Sequence, residues 1–233
     1  MSTQALAAGR PVELFKTVVD LIKPDWIKLA LATLVLGIIL VGGSGLLGQA
    51  LANFVMPFVS VPLFGGYMLL IRVALQRQTF DFAKLFSGFS DTAVLVNLLI
   101  IAVPSAILGL LQVLFLKAGL SILVLPLAIL MFGYTFITML AVQRVIFARR
   151  DGITALKEAV HATIQNIVPL IVYFLIGFVA LLLGTLALLV GVLFAAPLVY
   201  GVVILMHDEI FGHTAAISLP AAAPPPPPPF AAG

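Results

Sequence analysis

Residues 167–206, IVPLIVYFLIGFVALLLGTLALLVGVLFAAPLVYGVVILM, decide the fold: 40 consecutive positions carry no charged side chain. As one helix, at 1.5 Å per residue, the stretch would extend about 60 Å, twice the roughly 30 Å core of a bilayer. It has to fold back once, and Gly184-Thr185 is the expected reversal. Residues 29–71 repeat this double length, with the reversal expected between Gly42-Gly43-Ser44-Gly45 and Asn53. Two single-length stretches, 92–116 and 118–143, lie between them. The sequence predicts six spans, at about 28–46, 53–73, 94–116, 120–142, 167–184 and 187–207.

Composition leads to the same class. Of 233 residues 63% are apolar and 9% charged, with a mean hydropathy of +1.26. Soluble chains carry roughly 25% charged residues. So few charges cannot cover a water-facing surface, which excludes a soluble globular fold. The absence of cysteine excludes disulfide frameworks, thiolate metal sites and cysteine nucleophiles. No cleavable signal peptide is expected, because Glu13, Lys16, Asp20, Lys23 and Asp25 interrupt the first 27 residues.

Charge position sets the expected orientation. Arg10, Lys16, Lys23 and Lys28 precede the first span, Arg72, Arg77 and Lys84 follow the second, and Arg144, Arg149, Arg150 and Lys157 follow the fourth. Lys117 alone of the twelve basic residues falls on the other side, and all nine acids share the basic face. By the positive-inside rule that face is cytoplasmic, with both termini.

A threefold pattern accompanies the spans. Pro62-Leu63, Pro126-Leu127 and Pro197-Leu198 each precede a Gly/Tyr pair, at 66–67, 133–134 and 200–201. Each pair of spans also follows a segment with polar residues at helical spacing: Glu13, Lys16, Asp20 and Lys23; Asp81, Lys84, Gly88 and Asp91; Lys157, Glu158, His161 and Gln165. Opposite these lie Phe15, Val18, Val19 and Ile22, then Phe82, Leu85, Phe86 and Phe89, then Leu156, Val160 and Ile164. The expected fold is an all-α membrane protein of six transmembrane helices, as three hairpins, each preceded by a cytoplasmic amphipathic helix. Residues 1–11 are expected to be a disordered N-terminus, 12–213 the transmembrane domain, and 214–233 a disordered proline-rich tail.

The run Phe82-Ala83-Lys84-Leu85-Phe86-Ser87-Gly88-Phe89 resembles the "LF-x-GF" segment of multi-pass bacterial inner membrane protein families of uncharacterised function. Residues 149–159, Arg-Arg-Asp-Gly-Ile-Thr-Ala-Leu-Lys-Glu-Ala, are similar to the loop between their fourth and fifth spans. The ending, Pro197-Leu198 through Asp208-Glu209-Ile210-Phe211-Gly212, resembles their proline-bearing last span and "D-x-x-F-G" tail. The chain departs from them in His207-Asp208-Glu209, where tyrosine and arginine are common, and in the proline tail. The resemblance implies a six-helix bundle in a bacterial inner membrane and brings no activity.

Several groups are candidate sites. Gly43-Ser44-Gly45-Leu46-Leu47-Gly48 matches G-x-G-x-x-G, but lacks the strand, the βαβ unit and the acidic residue of a dinucleotide site, and reads as a turn with close helix packing. His207, Asp208, Glu209, His213 and His161 do not have H-E-x-x-H order and read as a helix-end cluster able to pair with Arg144, Arg149 or Arg150. No metal or other cofactor is expected. Arg72, Arg77, Arg144, Arg149 and Arg150 are candidate contacts for an anionic lipid headgroup or ligand. Interspersed acids, with no aromatic–basic interleaving, exclude a nucleic-acid surface. Pro62, Pro126 and Pro197 are candidate helix breaks. Pro224–Pro229 reads as extended polyproline, a possible dock for a cytoplasmic partner.

The charge-free stretches that make up the spans, from Leu29 to Ile71 onward, carry no Asp, Glu, His, Lys or Arg of the sort that marks proton relays and ion-coupled transport. The expected function is therefore non-enzymatic: association with the lipid bilayer, other membrane proteins or a second copy, as a scaffold, assembly factor or modulator. The alternative is a permease or channel for a small or apolar solute, working without an intramembrane charge relay.

Overall fold

A computed structural model describes residues 3–187 and 190–212. Among these residues the ordered segments are helical, without strands. They are α1 (Arg10–Ile22), α2 (Trp26–Leu47), α3 (Gln49–Leu75), the single turn α4 (Ser87–Ser90), α5 (Thr92–Lys117), α6 (Val124–Ala148), α7 (Gly152–Gln165), α8 (Ile167–Leu186) and α9 (Val190–Ile210). Short 3₁₀ segments at Lys23–Asp25, Phe82–Phe86 and Ser121–Leu123 join them. Six helices are long and apolar enough to cross a membrane: α2, as part of the run Arg10–Leu47, then α3, α5, α6, α8 and α9. Helices suit that setting because every backbone N–H and C=O is satisfied within the segment. Leu175, Phe178, Leu182 and Leu186 on α8 face outward, as do Ile38 on α2 and Ile107 on α5, an arrangement suited to lipid and not to water.

The first reversal falls within the expected stretch, narrowed to one residue, and the second lies a few residues beyond Gly184-Thr185. The helix α2 runs straight through Gly42–Gly45, and the chain turns at Gly48 alone, whose φ of +70° and ψ of 156° belong to a region essentially confined to glycine. Gly43 instead brings α2 against Met56 of α3. Likewise α8 continues through Gly184-Thr185 to Leu186. Gly184 is a contact, not a turn: a Cβ on it would lie 2.8 Å from the backbone of Gly191 on α9.

The amphipathic segments pack through their small residues or not as one helix at all. In α7 the buried face is Gly152, Ala155, Ala159 and Ala162, while Val160 and Ile164 are exposed. Small residues let the helix axis come close to α5 and α6, and in an apolar solvent the large aliphatics need no cover. Residues 80–91 form a 3₁₀ turn and α4 in place of a longer helix, with Phe82, Phe86 and Phe89 outside and Leu85 buried. The cause is backbone contact with α3. A Cβ on Gly66 would lie 1.9 Å from the Leu85 carbonyl oxygen, and one on Gly88 2.3 Å from that of Pro62.

The helix α1 lies along α9 in antiparallel register, with Arg10 at Glu209, Val18 at Gly201 and Trp26 Nε1 donating to the Phe194 carbonyl at 3.3 Å. Its buried side is Leu14, Phe15, Val18, Leu21 and Ile22. Residues 3–9, expected to be disordered, are anchored: Gln4 N–H donates to the Ile210 carbonyl, and Leu6 N–H to Asn166 Oδ1. Overpacking a close contact costs about 1–3 kcal/mol. Gly66→Ala is expected to lower the melting temperature of the detergent-solubilised protein accordingly, whereas Gly37→Ala, with open space around its Cβ, should hold or raise it. Equal effects at the two positions would remove the Gly66–Leu85 contact as the anchor of this segment.

Candidate functional site

Two features stand apart from ordinary helix packing: a buried polar cluster around the C-terminal end of α9, and a cavity among α3, α5 and α6.

The cluster is built around His207 and Asp208, whose positions in the last turns of α9 turn them into the bundle. Arg72, near the end of α3, places Nη2 3.1 Å from Asp208 Oδ2. That is an ion contact in which the N–H is not aimed at the oxygen, so Oδ2 and Arg72 Nη1 have no hydrogen-bond partner among the described residues. The Arg72 guanidinium lies over the Phe147 ring at 4.2 Å, and that of Arg144 over the Phe211 ring at 4.3 Å. His207 packs against both rings and places Nδ1 3.2 Å from Asp208 Oδ1. Arg144 is 0% exposed and donates through Nε to Glu158 of α7 at 2.6 Å. Gln143 is also buried, and neither its amide oxygen nor its nitrogen finds a partner among the described residues. Beside the cluster, Glu209 pairs with Arg10.

The five candidate arginines therefore do not form one anion site. Arg72 and Arg144 meet the same aromatic layer, each facing a carboxylate. Arg150 lies 3.6 Å from Glu158, Arg149 pairs with Asp91 at 2.7 Å, and Arg77 is exposed beyond α3. Of the acids after the last span, Glu209 pairs with Arg10 and Asp208 with Arg72. Glu158, Phe147, Phe211 and Arg10 were not legible as partners, because helical spacing does not say which helices touch. His161 contacts Gln165 within α7, and no three of His, Cys, Asp and Glu gather among the described residues. His213 and Pro224–Pro229 lie outside them.

Of the prolines, Pro62 and Pro197 are buried inside continuous helices, α3 and α9. Pro126 sits in the first turn of α6, where its missing N–H would have been unsatisfied in any case, and breaks nothing.

The cavity has a volume of about 520 Å³. Its walls are α3, α5 and α6, closed on one side by Tyr200 of α9. Most of the lining is apolar, and its polar groups are Ser60, Ser105, Gln112, Tyr134, Thr135, Thr138 and Tyr200. No charged residue lines it. A second space of about 290 Å³ shares Ser60, Ser105 and Gln112 and extends to Ser44 and Asn53.

Outside the spans, two aspartates cap helices. Asp91 accepts from the N–H groups of Ala93 and Val94 at the start of α5, and Asp151 from that of Thr154 in α7. Hydrogen bonds from the Val94 amide and then from Arg149 hold Asp91 below its ordinary value of 3.8, and the Thr154 amide does the same for Asp151. A carboxyl held low in the folded state contributes stability above its unfolded value and loses it as pH falls through the lowered one. The melting temperature is expected to fall as the pH drops below the ordinary carboxyl value of 3.8, and the Asp91→Asn/Asp151→Asn double variant to show a smaller fall. An unchanged acid dependence would remove these caps as its source.

Removing one partner of a buried ion pair costs about 3–5 kcal/mol. Arg144→Gln should sit near the lower end, about 3 kcal/mol, since Glu158 keeps Arg150 nearby and some solvent. Arg77→Gln should change stability by less than about 0.5 kcal/mol. Denaturant titration in detergent reads both, and a cost for Arg144→Gln no larger than for Arg77→Gln would show that the pair is not structural. No family model, curated protein or solved structure matches the chain.

Proposed function

We propose that the chain is a non-enzymatic, multi-pass protein of the bacterial inner membrane that acts by association with lipids or membrane partners, as scaffold, assembly factor or modulator. The observation that carries this reading is the outer half of α6: from Val124 to Thr135 it buries Leu127 and little else within the chain. A helix so sparsely packed finds its neighbours outside its own chain. The arginines support the same reading, since Arg72, Arg144 and Arg149 face carboxylates that join helices.

The cavity favours a second reading, a permease or channel for a small neutral or apolar solute. Proteoliposomes decide between them. Solute flux well above empty vesicles would replace association by transport, whereas background flux together with specific cross-links from Lys84 or Lys157 to a membrane protein would sustain association.

The finer topology belongs to the same proposal. Both termini are cytoplasmic, and the spans form three hairpins, each introduced by an amphipathic segment at the cytoplasmic interface. The exposed Glu13, Lys16 and Asp20 of α1, Lys23 just after it, and the exposed Lys157 and His161 of α7 support this, as does the grouping of acids and bases at 72–91, 144–158 and 207–209. The resemblance to multi-pass bacterial families and a cytoplasmic partner for the proline tract are further parts of it. A cysteine at Ala118 should react with an impermeant thiol reagent in intact cells, and one at Lys157 only after permeabilisation. The reverse pattern overturns the orientation. Gly152 is unsuitable for this purpose, because a Cβ there would lie 2.6 Å from the Asn97 carbonyl oxygen.

A further inference from the structure

We propose that the cavity among α3, α5 and α6 is a binding site for one uncharged amphiphile, a long apolar chain ending in a hydroxyl, which enters sideways from the bilayer. This rests on the membrane reading above, and holds whether the site serves association or transport.

Its size is that of a small-molecule site, about 520 Å³ within the usual range of roughly 300–1,000 Å³. The space has a structural origin. The helices α3 and α5 touch backbone to backbone where Gly109 meets the Asn53 carbonyl. Beyond that contact, small residues on three walls, Ser60, Ser105 and Ala128, leave the volume unfilled.

The chemistry of the lining selects the ligand. A carboxylate, phosphate or ammonium buried there would meet no counter-charge, at a prohibitive desolvation cost. A pure hydrocarbon would leave the hydroxyl groups of the wall unused. Thr135 and Thr138 donate to carbonyls of their own helix, Met131 and Tyr134, which leaves their oxygens free to accept from a ligand hydroxyl. Gln112 offers both a donor and an acceptor.

The entrance follows from α6. Ala128, Phe132 and Thr135 line the cavity and are exposed, and they alternate along α6 with Leu125, Ile129 and Leu130, which are exposed without lining it. A molecule dissolved in lipid therefore meets the cavity wall directly.

The test uses the full chain in vesicles of phosphatidylcholine and phosphatidylglycerol. The probe is hexadecanol carrying a photoreactive diazirine in its chain, with labelled peptides mapped by mass spectrometry. Labelling of residues 57–68 and 128–139 should exceed that of the outward-facing 175–186 by about tenfold, the preference that 1.4 kcal/mol confers. Unlabelled hexadecanol should compete it away. Ser105→Leu and Ala128→Phe, which fill the space from separate walls, should each bring it down to the level of 175–186. Thr135→Val, which keeps the volume, should lower it in part. Labelling equal on the two faces overturns the proposal. So does enrichment that survives both filling variants in protein with unchanged melting temperature. Equal enrichment of a phosphatidylcholine bearing the diazirine in its acyl chain also overturns it, by making the cavity an ordinary lipid-chain crevice. A chain whose residues 175–186 take up no probe at all is not in the bilayer, and the membrane reading itself then falls.

Discussion

An apolar side chain gains almost nothing by exchanging lipid for another helix, so a chain that is 63% apolar needs another source of cohesion. Here it is contact between backbones. Gly66 lies against the Leu85 carbonyl, Gly88 against that of Pro62, Gly109 against that of Asn53 and Gly152 against that of Asn97, while Gly184 and Gly191 face each other. These contacts join α3 to the segment before α5, α3 to α5, α5 to α7, and α8 to α9. Each lets dispersion and weak Cα–H···O contacts act over lengths that a side chain would hold apart. Both features of interest depend on this framework. The cavity opens where small residues continue past the Gly109 contact, and the polar cluster closes where α9 is held across α3 and α6.

The charged residues fix register where the glycines fix distance. Arg72 ties α3 to α9 through Asp208, Arg144 ties α6 to α7 through Glu158, and Arg10 ties α1 to α9 through Glu209. Burial of such pairs adds little net stability, since desolvation offsets most of the Coulomb gain. It penalises heavily any arrangement that leaves one partner alone, which restricts how α3, α6 and α9 can sit together. Arg149–Asp91, at the surface, carries much less of this weight.

This division explains what the sequence could disclose. Charge-free length is a property of single helices, so the six long apolar helices were legible from residues such as 167–206. Reversals depend on φ, and nothing in the sequence distinguishes a glycine that turns from one that packs: within the expected stretch 42–53 only Gly48 turns, while Gly184 packs against α9. Which side of α7 packs is not legible from polarity, which leaves the apolar face free to meet either lipid or the bundle; the packed side is the one with the smallest residues, Ala155, Ala159 and Ala162. The ion pairs were illegible for a related reason. With nine acids and all but one of the twelve bases expected on one face, many pairings satisfy the count. The cavity left only a faint trace, as hydroxyls and one amide scattered over three helices.

The uncharged cavity and the charged cluster are close neighbours, and their separation constrains how either can work. Met68 and Val142 line the inner end of the cavity, and one helical turn beyond Met68 stands Arg72, while Gln143 and Arg144 directly follow Val142. Two apolar side chains thus divide a space without fixed charge from a set of buried ions. An ionic pathway through the bundle would have to hydrate that boundary and strip Arg72 from Asp208, leaving a buried charge alone. A neutral ligand entering past α6 faces neither cost. On the proposed reading the partition has a physical sense: ionic interactions hold the end of the bundle together, while the neighbouring uncharged space would exchange its contents with lipid.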